Sequence, residues 1–246
     1  MSHYVIGDIH GCYDELLGLL QAICFDATKD TLIFLGDYID RGLRNYEVLR
    51  WIDRVKNDKD HYVLLRGNHE QEFIANIELL TQIEADIPLA EVCERLHEKS
   101  QYFDLYSTIR QLVSVNHVGI ATLSRWANMF REMPTHLFIK VNHIQYVIVH
   151  AGYKDTRTDD TSEFELYSRE EAYLEGGISN GIVIAGHTPT IIPGEFVYTG
   201  GKVFRHHNNE INCTYYDIDC GCVFRKKYSD ARLACIRLED QEVFYY

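Results

Sequence analysis

The sequence predicts an α/β fold, a two-sheet sandwich flanked by helices, with a helical insertion at about residues 71–135. Three observations carry that prediction. Aliphatic runs alternate with helical patterns from the N-terminus to Glu70; the pattern then turns wholly helical; and short β-branched or aromatic segments divided by turn residues fill the last third.

Tyr4-Val5-Ile6 leads into Gly7-Asp8-Ile9-His10-Gly11, and Thr31–Leu35 leads into Gly36-Asp37-Tyr38-Ile39-Asp40-Arg41-Gly42. His61–Leu65 precedes Gly67-Asn68-His69-Glu70, Gln145–Val149 precedes His150-Ala151-Gly152, and Gly181–Ala185 precedes Gly186-His187-Thr188. Apolar runs with so little alternation are those of strands buried on both faces. Between the first three lie helical spacings, Leu16, Leu17, Leu19, Leu20 and Ile23, then Val48, Leu49, Ile52 and Val55, which implies crossover units.

The insertion is read from Phe73, Ile77, Leu80 and Ile83, then Val92 and Leu96, then Trp126, Phe130 and Met133. Pro88 is expected to end the first of these helices. A long inserted segment near a site serves as a wall or lid as readily as it serves packing. Further strands are expected at Glu195–Tyr198, Lys202–Phe204, Cys213–Ile218, Cys222–Phe224, Ala231–Leu238 and Val243–Tyr245, which makes the second sheet mostly C-terminal. With no linker, repeat or low-complexity tract and only four prolines, residues 1–246 read as one domain.

A formal net charge of −13 speaks against general affinity for nucleic-acid backbones, although bound metal ions can reverse the local field around a phosphate. No run approaches the roughly 20 apolar residues that span a bilayer, and the N-terminus reaches Asp8 after a few apolar residues. The expectation is a soluble, cytoplasmic protein with no nucleic-acid or membrane partner. The seven cysteines are odd in number and scattered, which fits reduced thiols, and Cys220 and Cys222 stand too close for a structural zinc ribbon. Cys220 reads as a structural cysteine, with a redox-sensitive thiol as its alternative, and His206-His207 reads as a solvated turn.

Asp8, His10, Asp37, Asn68, His150 and His187 all fall just after predicted strands, where open α/β sheets place their sites. Mixed oxygen and imidazole donors suit two divalent transition metals better than Ca²⁺ or Mg²⁺. Asp37 is placed to bridge such a pair, whose separation in two-metal hydrolases is roughly 3.5–4 Å.

The motifs GDIHG, GDYIDRG, GNHE, HAG and GHT, in this order, closely resemble the phosphoprotein phosphatase (PPP) family of metallophosphoesterases, its bacterial serine/threonine phosphatases in particular. The resemblance spans nearly the whole chain, since Trp126–Gly152 and Asp217–Leu238 also look like bacterial family segments, and it implies the calcineurin-like sandwich. It further implies that Asp8 and His10 bind a first metal, that Asp37 bridges, and that Asn68, His150 and His187 complete a second. His69 matches the general acid, Asp40 the carboxylate orienting it, and Arg41 a phosphate-binding arginine. Tyr167-Ser168-Arg169-Glu170 resembles a family segment that makes Arg169 a second phosphate ligand; otherwise Arg169 is a surface residue paired with Glu165. Glu70 reads as a hydrogen-bonding support.

These parts match what phosphoryl transfer requires: a hydroxide activated by both metals for in-line attack, neutralised phosphoryl oxygens, and a proton for the leaving alkoxide. The implied function is hydrolysis of phosphomonoesters, phosphoserine or phosphothreonine in proteins or small phosphate esters, with Mn²⁺ favoured and Fe, Zn or Co accommodated. The alternative on the same core is symmetrical hydrolysis of dinucleoside tetraphosphates. A silent binding module would show an eroded ligand set, and this set is complete. Arg225–Asp230 stands where bacterial relatives carry a glycine pair, a departure in a loop that bears on substrate choice.

Overall fold

The computed structural model describes residues 1–82, 88–93, 103–155 and 162–246. Its first sheet grows from β1 (His3–Ile6), β2 (Thr31–Phe34) and β3 (Tyr62–Leu64), parallel in the order β1-β2-β3, with α1 (Tyr13–Ala22) and α2 (Asn45–Val55) as the crossovers. All four β2 residues are buried because both faces are covered. Leu32 and Phe34 pack with Leu16, Leu19, Val48 and Ile52 of the helices, whereas Ile33 packs with Ile148 and Ile184 of the second sheet.

That second sheet has the order β4-β5-β6-β8-β7, from β4 (His136–Val141), β5 (Ile144–Val149), β6 (Gly181–Ala185), β7 (Phe204–Asn208) and β8 (Cys213–Asp217). β5, β6 and β8 are parallel, and β4 closes on β5 through Asn142 and His143, both at positive φ as a tight hairpin demands. On its outer face Val147, Val183 and Tyr215 meet Tyr173 and Val197.

The expected C-terminal second sheet needs correction. Its strands start at His136, and the last two, β9 (Ala234–Arg237) and β10 (Val243–Tyr245), return to the first sheet, β9 antiparallel to β1. β1 has an open edge there, and Cys235 and Ile236 supply one apolar residue to each of its faces. Glu195–Tyr198 is a run of turns between Gly194 and the Gly200-Gly201 pair, all at positive φ, and residues 202–203 precede β7. Cys222–Phe224 is a short 3₁₀ helix.

Between β3 and β4 the described residues form helices, as expected: α3 (Asn68–Gln82), residues 89–93, α4 (Phe103–Ser114) and α5 (Ile120–Arg131). Phe73 of α3 meets Phe130 of α5 edge-on at 5.5 Å, and Trp126 is fully buried. Pro88 lies directly before the helical residues 89–93, its carbonyl accepting the Glu91 and Val92 N–H groups. Ile83, Leu96 and the point where the first of these helices ends fall outside the described residues. Two short helices, α6 (Ser162–Tyr167) and α7 (Glu170–Leu174), precede β6.

Candidate active site

The loops following β1, β2, β3, β5 and β6 meet at one edge of the sandwich. Ile9 and His10 donate their N–H groups to the Asp37 carbonyl at 3.1 and 2.9 Å, and Gly11 donates to that of Tyr38 at 2.9 Å, which stitches the first loop to the second. Glu70, fully buried, takes the N–H groups of Asp37, Tyr38 and Gly67 at 2.8, 2.9 and 3.0 Å and so fixes the second loop to the third. Two glycines permit the approach. A Cβ on Gly36 would lie 2.3 Å from the Gly67 nitrogen, and one on Gly186 would lie 2.2 Å from Asp8 Oδ1.

Backbone strain gathers here. His10, Asp37, Asp40, Arg41 and His187 hold φ of 45°, 49°, 73°, 63° and 72°. Each non-glycine residue in this region costs on the order of 1–3 kcal/mol, which surrounding structure must outweigh.

Two groups of side chains able to hold a metal ion form around Asp37. His10, Asp37 and His69 present donor atoms within 4.8 Å of one another, and so do Asp37, His150 and His187. The two oxygens of Asp37 divide between them: Oδ2 lies 3.4 Å from His10 Nε2, and Oδ1 lies 3.4 Å from His150 Nε2. Asn68 Oδ1 stands 3.0 Å from both His150 Nε2 and His187 Nδ1, which are themselves 3.1 Å apart.

The tautomers indicate what belongs between them. His150 Nδ1 and His10 Nδ1 face the carbonyls of Leu35 and Ile39 at 3.2 and 2.7 Å, so each ring uses that nitrogen as donor and turns a lone pair inward from Nε2. Burial foremost holds His10, His150 and His187 below the usual imidazole range, and neutral imidazole is the ligating form. Acceptors therefore face acceptors around Asn68, an arrangement that fits a cation. At the other group a positive charge already stands, for Arg41 Nη1 donates to His10 Nε2 at 2.7 Å.

His69 Nδ1 lies 2.6 Å from Asp40 Oδ2, and its Nε2 faces Asp37 Oδ2 at 3.8 Å. Burial alone would lower its pKa, but the Asp37 charge and the Asp40 hydrogen bond lift it to about 9. Asp40 is fully buried, and its Oδ1 has no hydrogen-bond partner among the described residues. The pair favours the protonated imidazole beside Asp37.

Asp8 sits deeper, 2% exposed, accepting the His187 N–H at 3.1 Å, and it lies outside both three-residue groups. Arg169 caps the start of α7, and its charge reaches His187, Asp217 and Asp219. Glu165 is hydrogen-bonded to Thr135 Oγ1 and stands 3.1 Å from His136 Nδ1. Cys220 is buried, and burial pushes its thiol far up, as suits a structural cysteine. His206 and His207 lie in β7 rather than in a turn, and His207 Nδ1 is 3.0 Å from Thr214 Oγ1.

Sequence reasoning passed over two acids. Asp217 and Asp219 are buried behind Asp8, Asp217 taking the Tyr173 hydroxyl at 2.5 Å. Burial lifts Asp219 to about 6 against the opposing Gly221 N–H and Arg41 charge. Their signal was an Asp-Ile-Asp closing the Cys213–Ile218 run, the same strand-end position as the other ligands. A cavity of about 400 Å³ adjoins the second loop, between Arg41–Asn45 and the α4 side chains Thr108, Arg110 and Gln111.

The pattern of the calcineurin-like phosphoesterase family matches residues 1–223. This chain is a calcineurin-like phosphoesterase. Over 75 residues the phosphoesterase is 48% identical to the symmetrical bis(5'-nucleosyl)-tetraphosphatase of Klebsiella pneumoniae subsp. pneumoniae and 45% identical to that of Buchnera aphidicola subsp. Baizongia pistaciae. The matched stretch is 30% of this chain and 26% of each relative. Among solved structures, a metallophosphoesterase from Sphaerobacter thermophilus superposes with a TM-score of 0.55 at 15% identity, covering 100% of this chain and 87% of that one. A protein serine/threonine phosphatase from Saccharomyces cerevisiae gives 0.53 at 15%, covering 100% and 79%. At such identities the superpositions establish the fold.

Proposed function

We propose that this phosphoesterase hydrolyses phosphomonoesters, phosphoserine and phosphothreonine in proteins among them, with two divalent ions held by Asp8, His10, Asp37, Asn68, His150 and His187. Mn²⁺ is the favoured ion, with Fe, Zn or Co accommodated by the same donors. The bound ions supply a water acidified to near neutrality and neutralise phosphoryl charge. The chain's own groups do the rest. Arg41 and Arg169 hold phosphate oxygens, and His69 Nε2 gives its proton to the departing oxygen while Asp40 keeps the ring oriented and charged.

The observation carrying this reading is the 2.6 Å contact between His69 and a fully buried Asp40. A serine or threonine alkoxide leaves only with a proton, whereas a nucleoside diphosphate departs as a stable anion. A pair built to deliver a proton suits the monoester, although it belongs to the core that both readings share. A second reading, symmetrical cleavage of dinucleoside tetraphosphates, is supported by the tetraphosphatase relatives and by the cavity beside Arg41, where Arg110 offers a second positive charge for an extended polyphosphate. A side-by-side rate comparison with one defined metal tests both. Phosphopeptide turnover above that of the tetraphosphate upholds the first; two nucleoside diphosphates released faster than phosphate from any monoester would replace it with the second.

A further inference from the structure

On the far side of the first loop a different group of ligands gathers. Cys12 ends that loop at the N-cap of α1, Glu15 lies one turn on, and Cys222 opens the 3₁₀ helix near the C-terminal end of the chain. One donor atom from each lies within 4.8 Å of the other two. Cys222 is buried, Cys12 and Glu15 are half-buried, and the Cys12 thiol donates to the His10 carbonyl at 3.7 Å. We infer that Cys12, Glu15 and Cys222 form a metal site of their own, distinct from the Asp37 centre and suited to Zn²⁺.

The chemistry of the donors supports that metal. Two thiolates and a carboxylate, with water in an open fourth position, are a soft to borderline set, unlike the oxygen and imidazole set around Asp37. With Zn–S distances of about 2.3 Å, tetrahedral ligands stand roughly 3.8 Å apart, so closing onto the ion asks for shifts of about 1 Å at most. Binding replaces both thiol protons, which leave to solvent.

Glu15 is already positioned. Arg225 Nη1 donates to its Oε1 at 2.9 Å, leaving the second carboxylate oxygen for a metal. Outer partners of this kind orient ligating carboxylates. This gives a task to the Arg225–Asp230 segment, whose first residue reaches back across the molecule to α1. A metal here would also tie the Cys222 turn, three residues beyond Asp219, to the loop that carries His10.

The test is optical and does not depend on catalysis. Full-length reduced protein is titrated with Co²⁺, whose bonds to thiolate give intense near-ultraviolet charge-transfer absorption that carboxylate, amide and imidazole ligands do not produce. One thiolate-bound Co²⁺ per chain is expected, displaced by Zn²⁺. The band should weaken in Cys222→Ser, vanish in Cys12→Ser/Cys222→Ser, and persist in Cys213→Ser and Cys220→Ser. Arg225→Ala should keep the band with affinity lower by about 10–100-fold. Absence of the band at saturating Co²⁺, its survival in the double variant, or an intact mass two hydrogens light from a Cys12–Cys222 disulfide that resists reduction would each overturn the assignment. Failure of the phosphatase reading would leave the band unchanged.

Discussion

Replacing Asp40 by Asn keeps the shape of the side chain and an oxygen within reach of His69 Nδ1, but removes the buried charge that faces the ring at 2.6 Å. An opposite charge at such range shifts a pKa by about 1–3 units, or roughly 1.4–4 kcal/mol between the two protonation states. His69, lifted to about 9 by the protein's own charges, would then lose its proton at lower pH, and the alkaline limb of kcat would move toward neutrality. The consequence depends on the leaving group. For a phosphoserine peptide, where the alkoxide must be protonated, Asp40→Asn and His69→Asn should lower kcat by about 10²–10⁴-fold. For p-nitrophenyl phosphate, whose phenolate departs unaided, the loss should be less than about tenfold, since a poised acid adds little there. Steady-state rates on both substrates across a pH series read the contrast directly. Equal losses on the two substrates, with an unmoved alkaline limb, would refute a proton-donating role for His69.

Three more outcomes follow from the geometry. Gly36→Ala places a Cβ 2.3 Å from the Gly67 nitrogen at a φ of +105°, so thermal unfolding should report a loss of about 1–3 kcal/mol together with weakened metal binding. Chelation should lower the melting temperature and re-addition of Mn²⁺ restore it; a ligand at 100 times its Kd is worth about 2.7 kcal/mol, and a melting point indifferent to chelator would contradict metal binding at the Asn68 group. Arg110→Ala, altering the cavity beside Arg41, should raise KM for a dinucleoside tetraphosphate several-fold while leaving KM for an aryl phosphate unchanged, and equal effects on both would remove the cavity from substrate choice.

The loops that meet at the sandwich edge were legible because a strand covered on both faces writes an unbroken apolar run, and a charged residue directly after such a run has few places to go but the sheet edge. Val5, Ile33 and Ile148 lie in such runs and are buried between the two sheets. What lay beyond reading depends on pairings that leave no local trace. Ala234–Arg237 looks the same whether it joins either sheet, and only the open edge of β1 decides. The positive φ values at His10 and Asp37 go with the hydrogen bonds between loops, which the local sequence does not announce. Cys12 and Cys222 are far apart in sequence and adjacent in space, which no spacing rule can recover.

The pairing of Tyr4 with Arg237 has a temporal side. β1 is synthesised long before β9, one of its two neighbours, and the Gly7 N–H that anchors the loop bearing Asp8 and His10 donates to the Ala234 carbonyl. Contacts so distant along the chain form late and slowly. During translation that loop therefore lacks this anchor until Ala234 has also left the ribosome.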